Sequence, residues 1–410
     1  MAKIGILNFP GHNNQGANLT AYALQKLLKN WGHEAVNLHL LDNYARRKNP
    51  LYTNFSDALI QITPHAAAGV EGMKRYNRDF DTFIVGSDQV WRPGVGPTFG
   101  WKEKFDPCFW LAFAEPGKRR ISVAPSLGSS DMGLPEPQLK RFREELKRYA
   151  AISVREHASV SVIRDIDGRE PALLVDPVFY LPREEWDKHA TPREENPNAG
   201  AVGYNSFFHT GIISGIREKL PAGKSLFNLL RGDTAQWLAG VRDAAFVITD
   251  SFHVTCFCLI FGTPFVCLAN PAQGPSRFYG LQESFQFSPR RILSTADAGE
   301  VLSRMQELLS QPFEKEAVDA AVARQREHAC NWLRQALDAP VPEWSGSPYQ
   351  RLNRLRLIGE YGHNRQWLRN MKNKFQKELY ACLLCISPVF RKTLRAKRER
   401  QEKILSQLPW

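Results

Sequence analysis

The sequence predicts an α/β fold in which two doubly wound parallel sheets, each flanked by helices, face a shared cleft. Strand-like and helix-like apolar patterns alternate along both halves of the chain. Polar loops rich in Gly, Asn, Ser and Asp follow the strands, where open α/β sheets bind ligands. The 410 residues, 43% of them apolar, suffice for more than one ordinary domain.

Taken in order, Lys3–Phe9 reads as a buried strand and Asn18–Trp31 as an amphipathic helix closed by Gly32. Ala35–Leu41, Thr82–Val85 and Ile121–Ala124 read as strands. Pro137–Tyr149 reads as a charged helix before the strand Ala151–Val154, and Leu173–Pro177 closes an N-terminal Rossmann-like domain over residues 1–181. Residues 182–199, rich in proline and charge, read as a linker. A second Rossmann-like domain follows over 200–339, with strands at Ala201–Tyr204, Phe246–Thr249 and Pro264–Leu268 and a helix at Phe252–Phe261. Residues 297–338 are expected to be helical and to cross back onto the first domain. Prolines at 340, 342 and 348 then mark the break before a basic helical extension, 340–410.

The net charge of +12 belongs to that extension. From Arg351 to Trp410 fifteen Lys and Arg face four acids, a balance of +11, so the first 350 residues are nearly neutral. No recognisable nucleic-acid module accompanies the charge, and no nucleic-acid partner is expected. Residues 367–407 mix basic and apolar side chains in a pattern that suits a helix on an anionic membrane surface. An amphipathic helix packed on the body, with a solvated basic end, suits it as well. The start of the chain has no long apolar stretch or small-residue cleavage site, and the longest apolar run, Cys256–Leu268, is cut by Gly262 and Pro264. A cytoplasmic protein, with a peripheral position at the inner face of the membrane as one option, is the expectation. Seven cysteines form no framework: Cys256 and Cys258 are two apart, and Cys382 with Cys385 is a lone CxxC. Free thiols are expected, with no metal and no cofactor.

Four loops could carry chemistry. In Phe246–Thr255 a buried strand runs into a helix, with Asp250 and Ser251 as N-cap residues and His253 in the first turn. Unsatisfied first-turn amides favour a phosphate or carboxylate there, and an imidazole can add a charged hydrogen bond or carry a proton. A simple capped helix with a partly buried histidine explains the same spacing. Gly11–Asn18, with Asn13, Asn14, Gln15 and Gly16, suits close approach to a polar ligand or a tight Asn-capped turn, and is not a dinucleotide fingerprint. Arg155 ends a strand, where a guanidinium grips a carboxylate or phosphate, or pairs structurally with Glu156 or Asp176. Ser87 and Asp88 follow the strand Thr82–Val85, where a structural turn is the simpler account.

Together these segments resemble the polysaccharide pyruvyl transferase family. The resemblance rests on Ile4–Leu7, Asn13–Ala17, Thr20–Gln25, Val85–Trp91, Ile121–Gly128, Ser153–Glu156, Val175–Pro177, Thr249–His253 and Pro264–Val266, in order over roughly residues 4–290. It implies the two-domain arrangement called GT-B, with phosphoenolpyruvate as donor and co-substrate. It implies a pair of sugar hydroxyls, on an acceptor that in this family is often lipid-linked, as the site of a pyruvyl ketal. It also places Arg155 and His253 around the donor, and these are the expected catalytic residues; from the four loops, Ser251, Thr255, Asp250, Asn13, Asn14, Gln15, Gly16, Ser87 and Asp88 are expected to line the substrate site. Many members carry Gly after the motif His, where this chain has Val254. Two other readings stay open: a GT-B glycosyltransferase using a sugar nucleotide, and a non-catalytic sugar- or anion-binding subunit of an envelope-synthesis complex.

Overall fold

A computed structural model describes residues 1–9, 14–40, 50–93, 106–128, 133–206, 209–220, 223–269, 276–295 and 297–343. Asn13 and the basic extension beyond residue 343 lie outside the described residues. The first sheet holds β1 (Lys3–Leu7), β2 (Glu34–Asn37), β3 (Thr82–Val85), β4 (Arg119–Ser122), β5 (Ala151–Val154) and β6 (Ala172–Leu173) in the order β2-β1-β3-β4-β5-β6. The second holds β7 (Val202–Asn205), β8 (Leu226–Asn228), β9 (Phe246–Thr249), β10 (Phe265–Leu268) and β11 (Ile292–Leu293) in the order β11-β10-β9-β7-β8. All pairings are parallel; Ile4 stands opposite Ala35 and Thr82, and Val202 opposite Leu226 and Phe246. Helices cover both faces, which is why β3, β9 and β10 are buried throughout instead of alternating.

Strand order reverses between β1 and β3 in the first sheet, and between β7 and β9 in the second. A crevice opens at each reversal, beyond the carboxyl ends of the strands. The loops after β3 and β9, which carry Ser87, Asp88, Asp250 and Ser251, therefore sit at these crevices.

Several elements differ from the sequence expectation in instructive ways. The β2 strand ends at Asn37, and its outer edge is bonded by the following segment, Asn37 N to Gln61 O and Ala67 N to His39 O. The 297–338 region is two helices, Ala298–Leu309 and Lys315–Asp338, parted around Pro312. The second crosses back: Arg326 Nε donates to Phe179 O at 3.0 Å, Arg334 lies 4.4 Å over the Trp31 ring, and Arg119 Nε donates to Ala339 O at 3.0 Å. The 182–199 segment carries a short helix, Arg183–Asp187, and Trp186 is its one buried residue.

Trp186 of that helix has 0% exposure and links the two halves. Its ring stands 5.8 Å from Tyr22 of the first helix and 5.0 Å from Phe257, while Nε1 donates to Val178 O. Phe257 belongs to the Phe252–Phe261 helix, in which all ten residues are buried. A helix apolar on every side must be enclosed on every side; here the Gln15–Asn30, Thr234–Asp243 and Lys315–Asp338 helices contribute to the shared core. Cys256 and Cys258 are accordingly both buried, and both thiols are free. Among the described residues, no helix is long and apolar enough to cross a membrane.

Trp186→Ala is expected to lower the unfolding free energy by about 3–5 kcal/mol, the usual range for deleting a buried tryptophan ring. A displaced urea midpoint at unchanged slope would record it.

Candidate active site

The two halves meet at Asp176. This residue follows β6, is 0% exposed, and caps the Pro177–Phe179 turn by accepting from Val178 N at 3.2 Å. Its Oδ1 accepts from Thr20 Oγ1 at 3.1 Å. Its Oδ2 accepts from Ser87 Oγ and Arg155 Nη1, each at 2.8 Å. The second half supplies His253, whose Nε2 lies 3.1 Å from Thr20 Oγ1 and 3.7 Å from Asp176 Oδ2. Burial opposes ionisation of Asp176, but His253, Arg155 and Ser87 outweigh it and hold the carboxyl well below the usual carboxylate range.

This network assigns the histidine tautomer. Thr20 has one hydroxyl hydrogen, and it goes to the Asp176 carboxylate. Toward His253 the hydroxyl must therefore accept, so Nε2 carries the imidazole proton and Nδ1 is left as the acceptor. Nδ1 lies against Gly16, where an added Cβ would come within 2.2 Å of it and 2.4 Å of Cγ. Only glycine allows the first helix to approach the ring this closely.

Arg155 is held by one strong contact, and the rest of its guanidinium is left incompletely satisfied. The side chain is 3% exposed and stacks 4.0 Å from the centre of the Phe252 ring. Nη2 stands 3.8 Å from Asp88 Oδ1 and Nε 3.8 Å from Glu156 Oε2, and neither nitrogen makes a hydrogen bond. Burial works against its charge, yet Asp176, Asp88 and Glu156 together raise its pKa above the ordinary value. Asp88 adopts a left-handed backbone, φ 73°, uncommon away from glycine and often found at functional loops. Glu156 Oε1 accepts from Ser126 Oγ, Ser159 Oγ and Gly128 N, which fixes the loop after β4 against the loop after β5.

A second arginine joins this group from the Ser276–Phe285 helix. Arg277 Nη2 reaches Asp250 O at 3.5 Å, while its enclosed Nε has no hydrogen-bond partner. Burial, and then repulsion from Arg155, push its pKa down to about 10.

The sequence-named residues divide by task. Gly16, Ser87, Asp88, Arg155, Ser251 and His253 converge on the junction or border it. Ser87 is 1% exposed, with its hydroxyl at 2.8 Å from both Asp176 Oδ2 and Ala124 O, so it serves the network and does not face open space. Asn14 caps the first helix by accepting from Ala17 N. Gln15 is 5% exposed and bridges the two halves through Nε2 to Gly232 O at 3.2 Å. Ser251 caps the His253 helix, accepting from Val254 N. Thr255 is fully buried and its hydroxyl donates back to Ser251 O. Asp250 Oδ2 accepts from Ser206 Oγ at 3.0 Å and faces His209 Nδ1 at 3.2 Å. Sequence reasoning offered Asp176 only as a structural partner and passed over Thr20 as a site residue; Ser206, His209 and Arg277 carried no recognisable spacing. Among the described residues, no cluster of three or more His, Cys, Asp or Glu could hold a metal ion.

Gly16→Ala is expected to displace the His253 ring and lower stability by about 1–3 kcal/mol, the range for an overpacked core, as read from chemical denaturation. Because the folded pKa of Asp176 is depressed, its contribution is complete above its unfolded value of about 4 and is lost as the pH falls below that. Asp176→Asn is therefore expected to be less stable at neutral pH, and to lose less further stability than the parent between about pH 4 and pH 2. Denaturation midpoints across that window check it.

Solved structures with this two-domain arrangement share little sequence with the chain. A Listeria monocytogenes protein assigned as a UDP-N-acetylglucosamine 2-epimerase superposes with a TM-score of 0.54 at 12% identity, covering 84% of this chain and 99% of its own. The S. aureus MnaA–UDP co-structure gives 0.51 at 11% identity over 85% of this chain and 100% of its own. The Neisseria meningitidis UDP-GlcNAc 2-epimerase bound to UDP-GlcNAc gives 0.50 at 10% identity, over 82% and 99%. These likenesses establish a GT-B-like fold. No curated protein matches the sequence. The family model for polysaccharide pyruvyl transferase matches residues 14–271, a span that holds Gly16, Thr20, Ser87, Arg155, Asp176 and His253. With more than half of the chain and both sides of the junction inside that span, the chain belongs to the polysaccharide pyruvyl transferase family.

Proposed function

We propose that the protein moves the pyruvyl group of phosphoenolpyruvate onto a pair of sugar hydroxyls as a ketal, in the synthesis of a cell-surface or exported polysaccharide. The observation that carries this reading is the half-satisfied Arg155 guanidinium, stacked on Phe252 one residue before His253. Phosphoenolpyruvate carries a phosphate and a carboxylate, so its site needs buried cationic donors beside a group that can move a proton.

The reaction adds a proton to the methylene carbon of the donor, making C2 oxocarbenium-like. One sugar hydroxyl adds to C2 and gives up its proton. The C2–O bond then breaks, and phosphate leaves with the bridging oxygen and the bonding pair and takes up a proton. The second hydroxyl adds to C2 to close the ketal, releasing its own proton. His253 is the proposed general acid/base. Thr20 and Asp176 hold the Nε2 side of the ring in place, and Nδ1 is the nitrogen that exchanges a proton with substrate. His209, backed by Asp250, is a second imidazole with the same construction and a candidate for activating the acceptor. The acceptor is a saccharide, and a lipid-linked one gives the basic 367–407 segment a purpose at an anionic membrane.

Incubation with phosphoenolpyruvate and candidate lipid-linked saccharides should release inorganic phosphate. No release with any acceptor would sink the reading and leave a non-catalytic anion-binding subunit. Release of a nucleotide from a sugar nucleotide would replace it with glycosyl transfer, a reading kept open by solved structures of this fold with bound UDP or UDP-GlcNAc. His253→Ala is expected to lower turnover by roughly 10²–10⁴-fold, the usual contribution of a general acid/base, with donor binding retained. Loss of both would make His253 a binding residue only. Full-length protein should float with anionic vesicles and protein truncated near residue 345 should not; equal behaviour would remove the membrane role.

A further inference from the structure

Arg277 has no place in the chemistry derived above and lies outside the span matched by the family model. Its helix nevertheless runs along the end of β5. A Cβ added to Gly280 would stand 3.6 Å from Glu156 Cβ, and Glu283 Oε2 lies 3.4 Å from His157 Nε2. Residues three apart form a ridge on a helix surface, so Arg277, Gly280 and Glu283 line the side turned toward Arg155–His157. Arg277 is further tied to the strand-end loop by Asp250 O, two residues before the Phe252 ring that carries Arg155.

The result is two neighbouring guanidiniums with three enclosed nitrogens that have no hydrogen-bond partner: Arg155 Nε, Arg155 Nη2 and Arg277 Nε. Asp88 lies near both cations, but it already accepts from Gln89 N at 2.8 Å and stands 3.8 Å from Arg155 Nη2. Among the described residues no carboxylate forms an ion pair with Arg277. Enclosed donors without partners and adjacent like charges both disfavour the empty protein. An oxyanion with two negative charges removes both penalties at once, and planar guanidiniums suit a phosphate.

We infer that Arg277, from the second half of the chain, and Arg155, from the first, together clamp the phosphate group of the ligand. The inference rests on the phosphoenolpyruvate reading only for the identity of the ligand; the clamp itself is a property of the two side chains. It makes Arg277 a binding residue that brings the second half of the chain to the ligand.

The test uses the full chain, with inorganic phosphate, phosphoenolpyruvate and pyruvate as probes in titration calorimetry and thermal unfolding. Arg277→Gln is expected to weaken phosphate and phosphoenolpyruvate binding at least tenfold, and pyruvate, which has only the carboxylate, less than about twofold. Without ligand its melting temperature should equal or exceed that of the parent, because a repelled cation has been removed. Arg277→Lys, which keeps the charge but not the fork, should fall between the two. Unchanged phosphate affinity in Arg277→Gln, a clear fall in its ligand-free melting temperature, or a parent that binds no phosphate would each overturn the clamp. Phosphate binding that depends on Arg277 without any turnover of phosphoenolpyruvate would retain the clamp and remove the pyruvyl transfer reading instead.

Discussion

A single buried carboxylate organises this molecule. Asp176 draws a hydroxyl from the first helix, a hydroxyl from the loop after β3, a guanidinium from the end of β5 and an imidazole from the other half of the chain. An ionised group that is 0% exposed would be prohibitive in isolation. It is tolerated because each of those donors answers it. The dependence also runs the other way. Without the carboxylate, the hydrogen bond of Arg155 Nη1 and the short contacts of Thr20 and Ser87 at the junction would lose their common acceptor. The geometry of the cleft and the protonation of its groups are thus one property.

The junction is made by steric fit as much as by charge. Gly16 lets the first helix lie directly against His253, and Trp186 fills the space behind the same helix against Phe257, one turn further along. The imidazole is therefore held from below by packing and from the side by hydrogen bonds. A motif histidine followed by Val254 instead of glycine fits this arrangement: Val254 is 0% exposed, turned into the core, and its amide completes the Ser251 cap. The departure from the common family pattern falls on a residue that is wholly enclosed.

How much of this could be read in advance depended on the range of the interaction. Strands such as Thr82–Val85, Ala151–Val154 and Phe246–Thr249 were legible to the residue because a doubly covered parallel strand is a short, unbroken apolar run. The two-residue strands β6 and β11 and the edge strand β8 left no such trace, and neither did short helices carried by tertiary packing. At the site, Arg155 and His253 stood out because each ends a strand or opens a helix. Arg155 was expected either to grip a ligand or to pair with Glu156 or Asp176; the fold contains both ion pairs and still leaves two of its nitrogens without hydrogen bonds. Thr20, His209 and Arg277 were silent, since their importance comes from partners between 27 and 233 residues away. Thr255 and Ser87 were expected to line the substrate site, although a structural turn was the simpler account of the Ser87 loop; both hydroxyls are committed within the protein.

That division separates residues that hold the fold from residues that serve a ligand. A hydroxyl or carboxylate needed for folding ends with its hydrogen bonds complete, as Ser87, Thr255 and Asp176 do. A group retained for a ligand can leave bonding capacity unused in the empty protein, at some expense in stability. On the proposed reading Arg155 belongs to both sets: Nη1 is bound to Asp176, while Nε and Nη2, each 3.8 Å from a carboxylate oxygen, keep hydrogen-bonding capacity for the ligand. The first contact fixes the guanidinium plane, so the second set of donors is oriented before any ligand arrives. An unsupported arginine with the same two free nitrogens would have to be ordered by the ligand itself, losing affinity in the process. The carboxylate that makes the junction foldable thereby also prepares it to bind.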